Sequence, residues 1–147
     1  VVDKYIGNSF RKIIESSDGK MWVAGNKGVT VIDGNKTYHY VQNDGLAGNY
    51  VFDLHEDING DIVIATNNGL SIFDGKTFTN YNIDNGFPSN DILCIEEDQK
   101  GNLWLGTAGD GLIKFNPDAG IYLLITDLKY EGNVFLPCNC MLLVIRH

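Results

Sequence analysis

The sequence predicts an all-β fold made of three copies of one antiparallel unit. Three observations predict it: glycines recur at a fixed interval of 41 residues, short apolar segments alternate with turn signals, and no segment shows the period of a helix. The positions that keep this interval are Gly19, Gly60 and Gly101; Glu15, Glu56 and Glu97; Trp22, Val63 and Trp104; and Asn8, Asn49 and Asn90. One register shared by residues of such different chemistry indicates a structural repeat.

The strands of each copy are predicted in order from the apolar segments and the turns between them. The first strands are FRKIIE, VFDLHE and ILCIEE; the second are MWVAG, DIVIAT and NLWLGT; the third are VTVID, LSIFD and LIKFN. A fourth strand, TYHYV or TFTNY, follows in the first two copies. Turns containing glycine separate the strands, because glycine adopts positive φ without strain. Four antiparallel strands in about 41 residues is the size of one β-propeller blade.

Three blades make an incomplete ring. Residues 1–118 hold the three predicted repeats, at about 8–48, 49–89 and 90–118, and residues 119–147 form a C-terminal β tail. Propellers close with about four to eight blades, so an arc of three leaves apolar blade faces in water. We expect these faces to be covered by a second copy in a homo-oligomer, by further blades of a larger parent chain, or by strands of the tail.

Composition excludes several classes of partner. The net charge of −8 at pH 7 argues against nucleic acid, which requires a basic surface. No apolar run approaches the roughly 18–20 residues of a membrane helix, so direct membrane insertion is not expected, and no signal peptide is visible at the start. Cys138 and Cys140 form a C-x-C pair without the second pair of ligands that a zinc site needs. No metal or cofactor is therefore predicted.

Two long segments resemble a known repeat family. GLAGNYVFDLHEDINGDIVIATNNGLSIFDG and GFPSNDILCIEEDQKGNLWLGTAGDGLIKFNP are similar to the two-component regulator propeller repeat, and the resemblance covers residues 8–118. It implies the extracytoplasmic sensor region of a bacterial hybrid histidine kinase, located in the periplasm or outside the cell. Residues 121–135 are similar to the start of the immunoglobulin-like three-tyrosine domain that follows such propellers, but that domain is not completed here.

The carboxylates that recur in register favour a structural role over catalysis. The pairs Glu56-Asp57 and Glu97-Asp98 have the composition of an acid/base pair, yet both occupy the same hairpin position of the repeat. An aspartate beside a glycine turn commonly binds its own backbone. No local signature of a nucleophilic triad or of a phosphate-binding loop is present. We therefore predict no catalytic residues and no enzyme activity.

The candidate binding residues lie in two kinds of loop. By analogy with propellers, the connections from strand 4 to strand 1 and from strand 2 to strand 3 share one end of the blades, which we call the rim. These loops differ between copies on a constant frame, as binding loops do. Their candidate ligand-binding residues are Asn49, Tyr50, Asn67, Asn68, Asn90, Asp91 and Asp110. Amide-rich loops beside an aromatic residue suit a polyhydroxylated ligand such as an oligosaccharide; the alternative is a protein-interaction scaffold with no small-molecule ligand.

Overall fold

The computed structural model describes residue 7 and residues 9–126. These residues form three four-stranded antiparallel sheets, in which the strands of each sheet lie side by side in chain order. This arrangement confirms the predicted all-β fold with three blades of four strands. The three sheets do not close into a ring.

The strands follow the predicted order. The first blade contains β1 (Phe10–Glu15), β2 (Met21–Gly25), β3 (Gly28–Asp33) and β4 (Lys36–Tyr40). The second contains β5 (Val51–Glu56), β6 (Ile62–Thr66), β7 (Gly69–Phe73) and β8 (Phe78–Tyr81). The third contains β9 (Ile92–Glu97), β10 (Leu103–Thr107), β11 (Leu112–Asn116) and β12 (Ile121–Ile125). Gly19, Gly60 and Gly101 occupy the same β1–β2-type turn with φ of +82°, +84° and +81°, as the turn prediction requires.

Strand β12 shifts the predicted end of the third blade. Residues Ile121–Ile125 pair with β11 along their whole length, so this blade extends past the predicted boundary at residue 118. The segment IYLLI belongs to the residues that resemble the start of the three-tyrosine domain, and it lacks the alternation expected of a half-buried strand. The remainder of residues 121–135 and both Cys138 and Cys140 lie outside the described residues.

The core consists of two layers between the blades. One cluster joins the first and second blades and includes Trp22, whose ring centroid lies 5.7 Å from that of Phe73. The other joins the second and third blades around Leu105 and Phe115. Trp22 is therefore a packing residue between blades. Trp104 is half-buried and lies on the opposite face of β10 from Leu103 and Leu105, so it does not enter the second cluster.

One position of the repeat shows that a face of the first blade is uncovered. Ile13, Leu54 and Ile95 are equivalent residues of the three inner strands. Leu54 and Ile95 pack against the preceding blade and are 2% and 7% exposed, whereas Ile13 is 58% exposed. The same apolar position is thus covered twice and uncovered once.

Candidate functional site

The rim is built from two connections that share one design. Each passes through a short 3-10 turn, Gln42–Asp44 or Ile83–Asn85, and leaves it through a glycine with positive φ, Gly45 at +109° or Gly86 at +92°. Glycine is suited to this backbone conformation because a Cβ atom would be strained there. The two loops therefore enter the next blade in the same way.

Asn49 and Asn90 hold these loops together. The Oδ1 of Asn49 accepts a hydrogen bond from the Gln42 amide at 2.7 Å, and the Oδ1 of Asn90 accepts one from the Ile83 amide at 2.9 Å. Their backbone carbonyls each accept a hydrogen bond of 2.6 Å from a glycine amide, Gly28 or Gly69, in the preceding blade. Their equivalence in the repeat is explained by this bracing of the rim.

Tyr50, Asn67 and Asn68 lie together at the entrance to the second blade. The Asn67 amide donates to the Tyr50 carbonyl at 3.0 Å, and the Asn68 Nδ2 donates to the Ala47 carbonyl at 2.9 Å. Asn67 is exposed, and no described hydrogen bond uses its side-chain amide. This group combines one aromatic ring with an available amide.

Arg11 joins the Tyr50 group and was not predicted. Its guanidinium donates to the Tyr50 hydroxyl at 3.1 Å and lies 5.7 Å from the centre of that ring. The equivalent residues of the other inner strands are Phe52 and Leu93, so Arg11 departs from the repeat. That departure was the signal available in the sequence.

Asp91 and Asp110 lie at the entrance to the third blade. The Asp91 carbonyl accepts from the Ala108 amide at 3.0 Å, and the Asp110 Oδ2 accepts from the Ser89 hydroxyl at 2.6 Å. Asp91 is exposed, and no described contact engages its carboxylate. Among the described hydrogen bonds none connects this group to the Tyr50 group, so the candidate residues form two neighbouring sets.

The aspartates that recur at the hairpins bind their own turns, as predicted. Asp57 accepts from the amides of Asn59 and Asp61, and burial raises the pKa of its carboxyl group. Asp98 occupies the equivalent position, and partial burial acts to raise its pKa. Hydrogen bonds from the Trp104 indole and from Asn102 lower the pKa of Asp98 by more than burial raises it, so this pKa lies far below its usual value.

The recurring glutamates connect adjacent blades. Glu56 accepts from the amide of Ser17 at 2.7 Å and also from its hydroxyl. Glu97 accepts from the Ile58 amide at 3.1 Å and lies 3.4 Å from the His55 Nε2. Ser17 and Ile58 are equivalent turn residues, so one linkage is made twice. These carboxylates are engaged in the frame and do not converge on one centre.

The described part of the chain contains neither a metal-binding cluster nor a membrane-spanning helix. In residue 7 and residues 9–126, no group of three or more His, Cys, Asp or Glu side chains is arranged to hold a metal ion. Across the same residues, no helix has the length and apolar character needed to cross a membrane.

Known structures share this fold. The extracellular domain of a protein described as a hybrid two component system from B. thetaiotaomicron matches 80% of this chain with a TM-score of 0.70 and 28% identity, and the chain spans 17% of that domain. The extracellular domain described as a one component system from the same organism matches 84% of this chain and 26% of its own length, with a TM-score of 0.49 and 17% identity. A catalytically inactive virginiamycin B lyase from Staphylococcus aureus, solved with quinupristin, matches 78% of this chain and 40% of its own length, with a TM-score of 0.63 and 19% identity.

The sequence comparisons identify the repeat. No curated protein matches the chain. Residues 86–109, which include β9 and β10, match the family described as Two component regulator propeller. Residues 86–109 are therefore similar to a two-component regulator propeller repeat, on a frame of three blades that resembles part of an extracellular domain of a hybrid two component system.

Proposed function

We propose that the chain is a sensing segment of an extracellular receptor in bacterial two-component signalling, and that it binds a small polar ligand without chemical turnover. The support is its 28% identity to part of an extracellular domain of a hybrid two component system, over 80% of this chain. The engaged hairpin carboxylates support the non-catalytic part of the proposal, because Asp57, Asp98, Glu56 and Glu97 all bind backbone amides.

The rim is the proposed ligand site, and the contact between Arg11 and Tyr50 is the observation that carries it. An arginine that departs from the repeat is held against an aromatic ring, beside the available amide of Asn67. Asp91 and Asp110 extend the same rim with carboxylates. Aromatic rings pack against the apolar face of a sugar while amides and carboxylates bind its hydroxyl groups, so a glycan fragment is the ligand class we propose. Asn49, Asn68 and Asn90 shape the loops that present these groups.

A binding screen tests this function. The protein is incubated with a broad panel of oligosaccharides, and bound glycans are then titrated by calorimetry. Tyr50→Ala is expected to weaken binding by about 10-fold or more, because one ring contact and one hydrogen bond are worth roughly 1–2 kcal/mol together. Thr79→Ala on the exposed outer strand β8 is the control and should leave affinity unchanged. Failure to bind any glycan, or equal binding by the Tyr50 variant, would contradict the proposal.

A protein-interaction role is the second candidate, because apolar surface remains at both ends of the arc. Ile13 is 58% exposed on the first blade, and the outermost strand β12 exposes Ile121 and Leu123 by 67% and 58%. Surfaces of this kind mark contacts between proteins. A second copy of this chain is the partner we propose, since pairing would bring the number of blades to six, within the range of closed propellers.

Light scattering measures this pairing directly. The protein is expected to have the mass of a dimer, and Ile13→Asp is expected to shift it to the monomer, because a carboxylate would be buried in the contact. Thr79→Asp is the control, since Thr79 is exposed on the outer strand β8. A monomeric wild-type protein would rule out closure by a second copy.

A further inference from the structure

A cavity of about 470 Å³ lies between the first and second blades. It is bounded by the turns from strand 1 to strand 2 and from strand 3 to strand 4, at the end of the blades opposite the rim. Its aromatic walls are Trp22, Tyr38, Tyr40 and Phe73. The volume is within the range of small-molecule sites, which is about 300–1,000 Å³. We call it the inter-blade cavity.

Some polar groups of the inter-blade cavity are already used by the frame. Glu56 binds Ser17 across the blades, and Asp18 forms an ion pair of 2.8 Å with Lys20. Asp74 accepts hydrogen bonds from the amides of Lys76 and Thr77. These residues fix the shape of the entrance.

Four other polar groups belong to residues that line the cavity and form no described hydrogen bond, although Asp33 also interacts electrostatically with Lys20. They are the carboxylate of Asp33, the hydroxyl groups of Tyr38 and Tyr40, and the indole Nε1 of Trp22, which is buried without an acceptor among the described residues. Burial raises the pKa of Tyr40, so its hydroxyl remains a hydrogen-bond donor at neutral pH. A buried donor without an acceptor costs about 1–3 kcal/mol, which makes Trp22 the most informative of the four.

The equivalent tryptophan shows what Trp22 lacks. Trp104 donates its indole hydrogen to Asp98 at 3.0 Å. The residue of the first blade equivalent to Asp98 is Ser16, whose hydroxyl donates to Asp18 and to the Lys20 carbonyl. The first blade therefore keeps the tryptophan of the repeat but not the carboxylate that satisfies it.

The charged residues that line the cavity favour a cationic ligand. Four carboxylates line it, from Asp18, Asp33, Glu56 and Asp74, against the single ammonium group of Lys20. Hydrogen bonds from Lys20 and Ser16 lower the pKa of Asp18, and backbone hydrogen bonds from Thr77 and Lys76 lower that of Asp74, so both are ionised at neutral pH. An anion is disfavoured here, whereas a cation gains from the carboxylates and from the faces of the aromatic rings.

We infer that the inter-blade cavity is a binding site for a small organic cation that carries a ring and a hydrogen-bond acceptor. The ring packs against Tyr40 and Phe73, the ammonium group faces Asp33, and the acceptor binds the Trp22 indole once the tryptophan turns its buried Nε1 toward the cavity. This site is separate from the proposed rim site and does not depend on it. Its ligand would contact both blades at once and would strengthen the first interface between them.

Three related probes test the inference with the full chain. Tyramine has the ammonium group, the ring and a hydroxyl acceptor; phenethylamine lacks the acceptor; 4-hydroxyphenylacetate replaces the cation with an anion. Binding is followed through the two indole N–H signals of the protein in ¹H–¹⁵N spectra, assigned with Trp22→Phe. Tyramine is expected to move the Trp22 signal and to leave the Trp104 signal in place. Phenethylamine should bind about 5-fold or more weakly, and 4-hydroxyphenylacetate about 10-fold or more weakly.

Two variants locate the site. Asp33→Asn is expected to weaken tyramine binding by about 5-fold or more, because it removes a carboxylate that forms no described hydrogen bond. The double variant Ser16→Asp/Asp18→Asn keeps the net charge and gives Trp22 the acceptor that Trp104 has, so it should remove the preference for tyramine over phenethylamine. Asp18→Asn alone is its control and should keep that preference.

The results that overturn the inference are equally specific. If tyramine leaves the Trp22 signal unmoved at millimolar concentration, or if all three probes bind equally well, the cavity is not a site for this class of ligand. The same conclusion follows if Asp33→Asn binds tyramine like the wild type while its unfolding curve is unchanged. None of these outcomes bears on glycan binding at the rim.

Discussion

The two interfaces between blades are formed by the same positions of the repeat, but they are packed to different densities. At the second interface Val63 takes the place of Trp22. Phe115 is 1% exposed there, and the centre of its ring lies 4.8 Å from that of Tyr81 and 5.3 Å from that of Phe87. At the first interface the larger Trp22 meets Phe73, which is 9% exposed, and a cavity remains beside them. A bulkier side chain has not produced a denser contact.

This comparison shows that the packing of an interface between blades depends on the residues of the turn as well as on those of the strands. Trp104 shows the arrangement in which a tryptophan is satisfied, since Asp98 both completes its own turn and accepts the indole hydrogen. Ser16 completes the same turn, with its carbonyl accepting from Gly19 at 2.8 Å, but offers no acceptor to Trp22. One substitution within a constant frame therefore separates a tryptophan whose indole is hydrogen-bonded from one whose indole is not.

The largest expected effect is on the denser interface. Phe115→Ala should lower the free energy of unfolding by about 3–5 kcal/mol, because it removes a buried ring and leaves a cavity. Phe73→Ala, at the equivalent position, should lower the free energy of unfolding by at least about 1 kcal/mol less than Phe115→Ala does, since the Phe73 ring already borders a cavity. Urea unfolding followed by circular dichroism measures both. Equal losses would show that the two interfaces are packed alike.

The next effect concerns the two equivalent aspartates. Asp98→Asn should lower the free energy of unfolding by about 1–3 kcal/mol at pH 7, because hydrogen bonds to a charged acceptor are lost. The pKa of Asp98 is lowered in the folded state, so its contribution is complete above about pH 4 and is lost as the pH falls toward the folded-state value.

Asp57→Asn is the matched control for that prediction. Burial raises the pKa of Asp57, so its ionised form destabilises the fold at neutral pH and stability increases as the pH falls through the folded-state value. The substitution should therefore cost less than Asp98→Asn at pH 7, and the difference should shrink below pH 4. A constant difference between the two variants from pH 7 to pH 3 would contradict the assigned shifts.

The smallest expected effect is a gain of stability at the first interface. In an Asp18→Asn background, which removes a neighbouring carboxylate, Ser16→Asp should raise the free energy of unfolding by about 1 kcal/mol, because a buried donor gains its acceptor. Urea unfolding of the single and double variants measures the increment. No increment, or a loss, would mean that the turn of the first blade cannot present a carboxylate to Trp22.

The frame was predictable from the sequence because repetition fixes the register. The recurrence of Gly19, Gly60 and Gly101 located the hairpins, and the apolar segments between them located eleven of the twelve described strands. Strand β12 escaped prediction because its apolar sequence IYLLI has no alternation to mark a strand. It is recognised only by its pairing with β11.

The sites were less predictable because they depend on contacts between copies. Asn49 and Asn90 are predicted ligand-binding residues, yet they keep the interval of the repeat, and each braces a loop through its Oδ1. Arg11 and Ser16 were overlooked although both depart from the register. The significance of Arg11 rests on its long-range contact with Tyr50, and that of Ser16 on the acceptor that it does not offer to Trp22.

The indole N–H signals of Trp22 and Trp104 provide the most direct test of the difference between them. In ¹H–¹⁵N spectra, Asp98→Ser should move the Trp104 signal alone, toward the position of a free donor. Adding Ser16→Asp to Asp18→Asn should move the Trp22 signal alone, toward the position that Trp104 has in the wild type. If the Trp22 signal in the wild-type protein already has the shift and slow exchange of a hydrogen-bonded indole, the donor is satisfied and the account of the first interface is wrong.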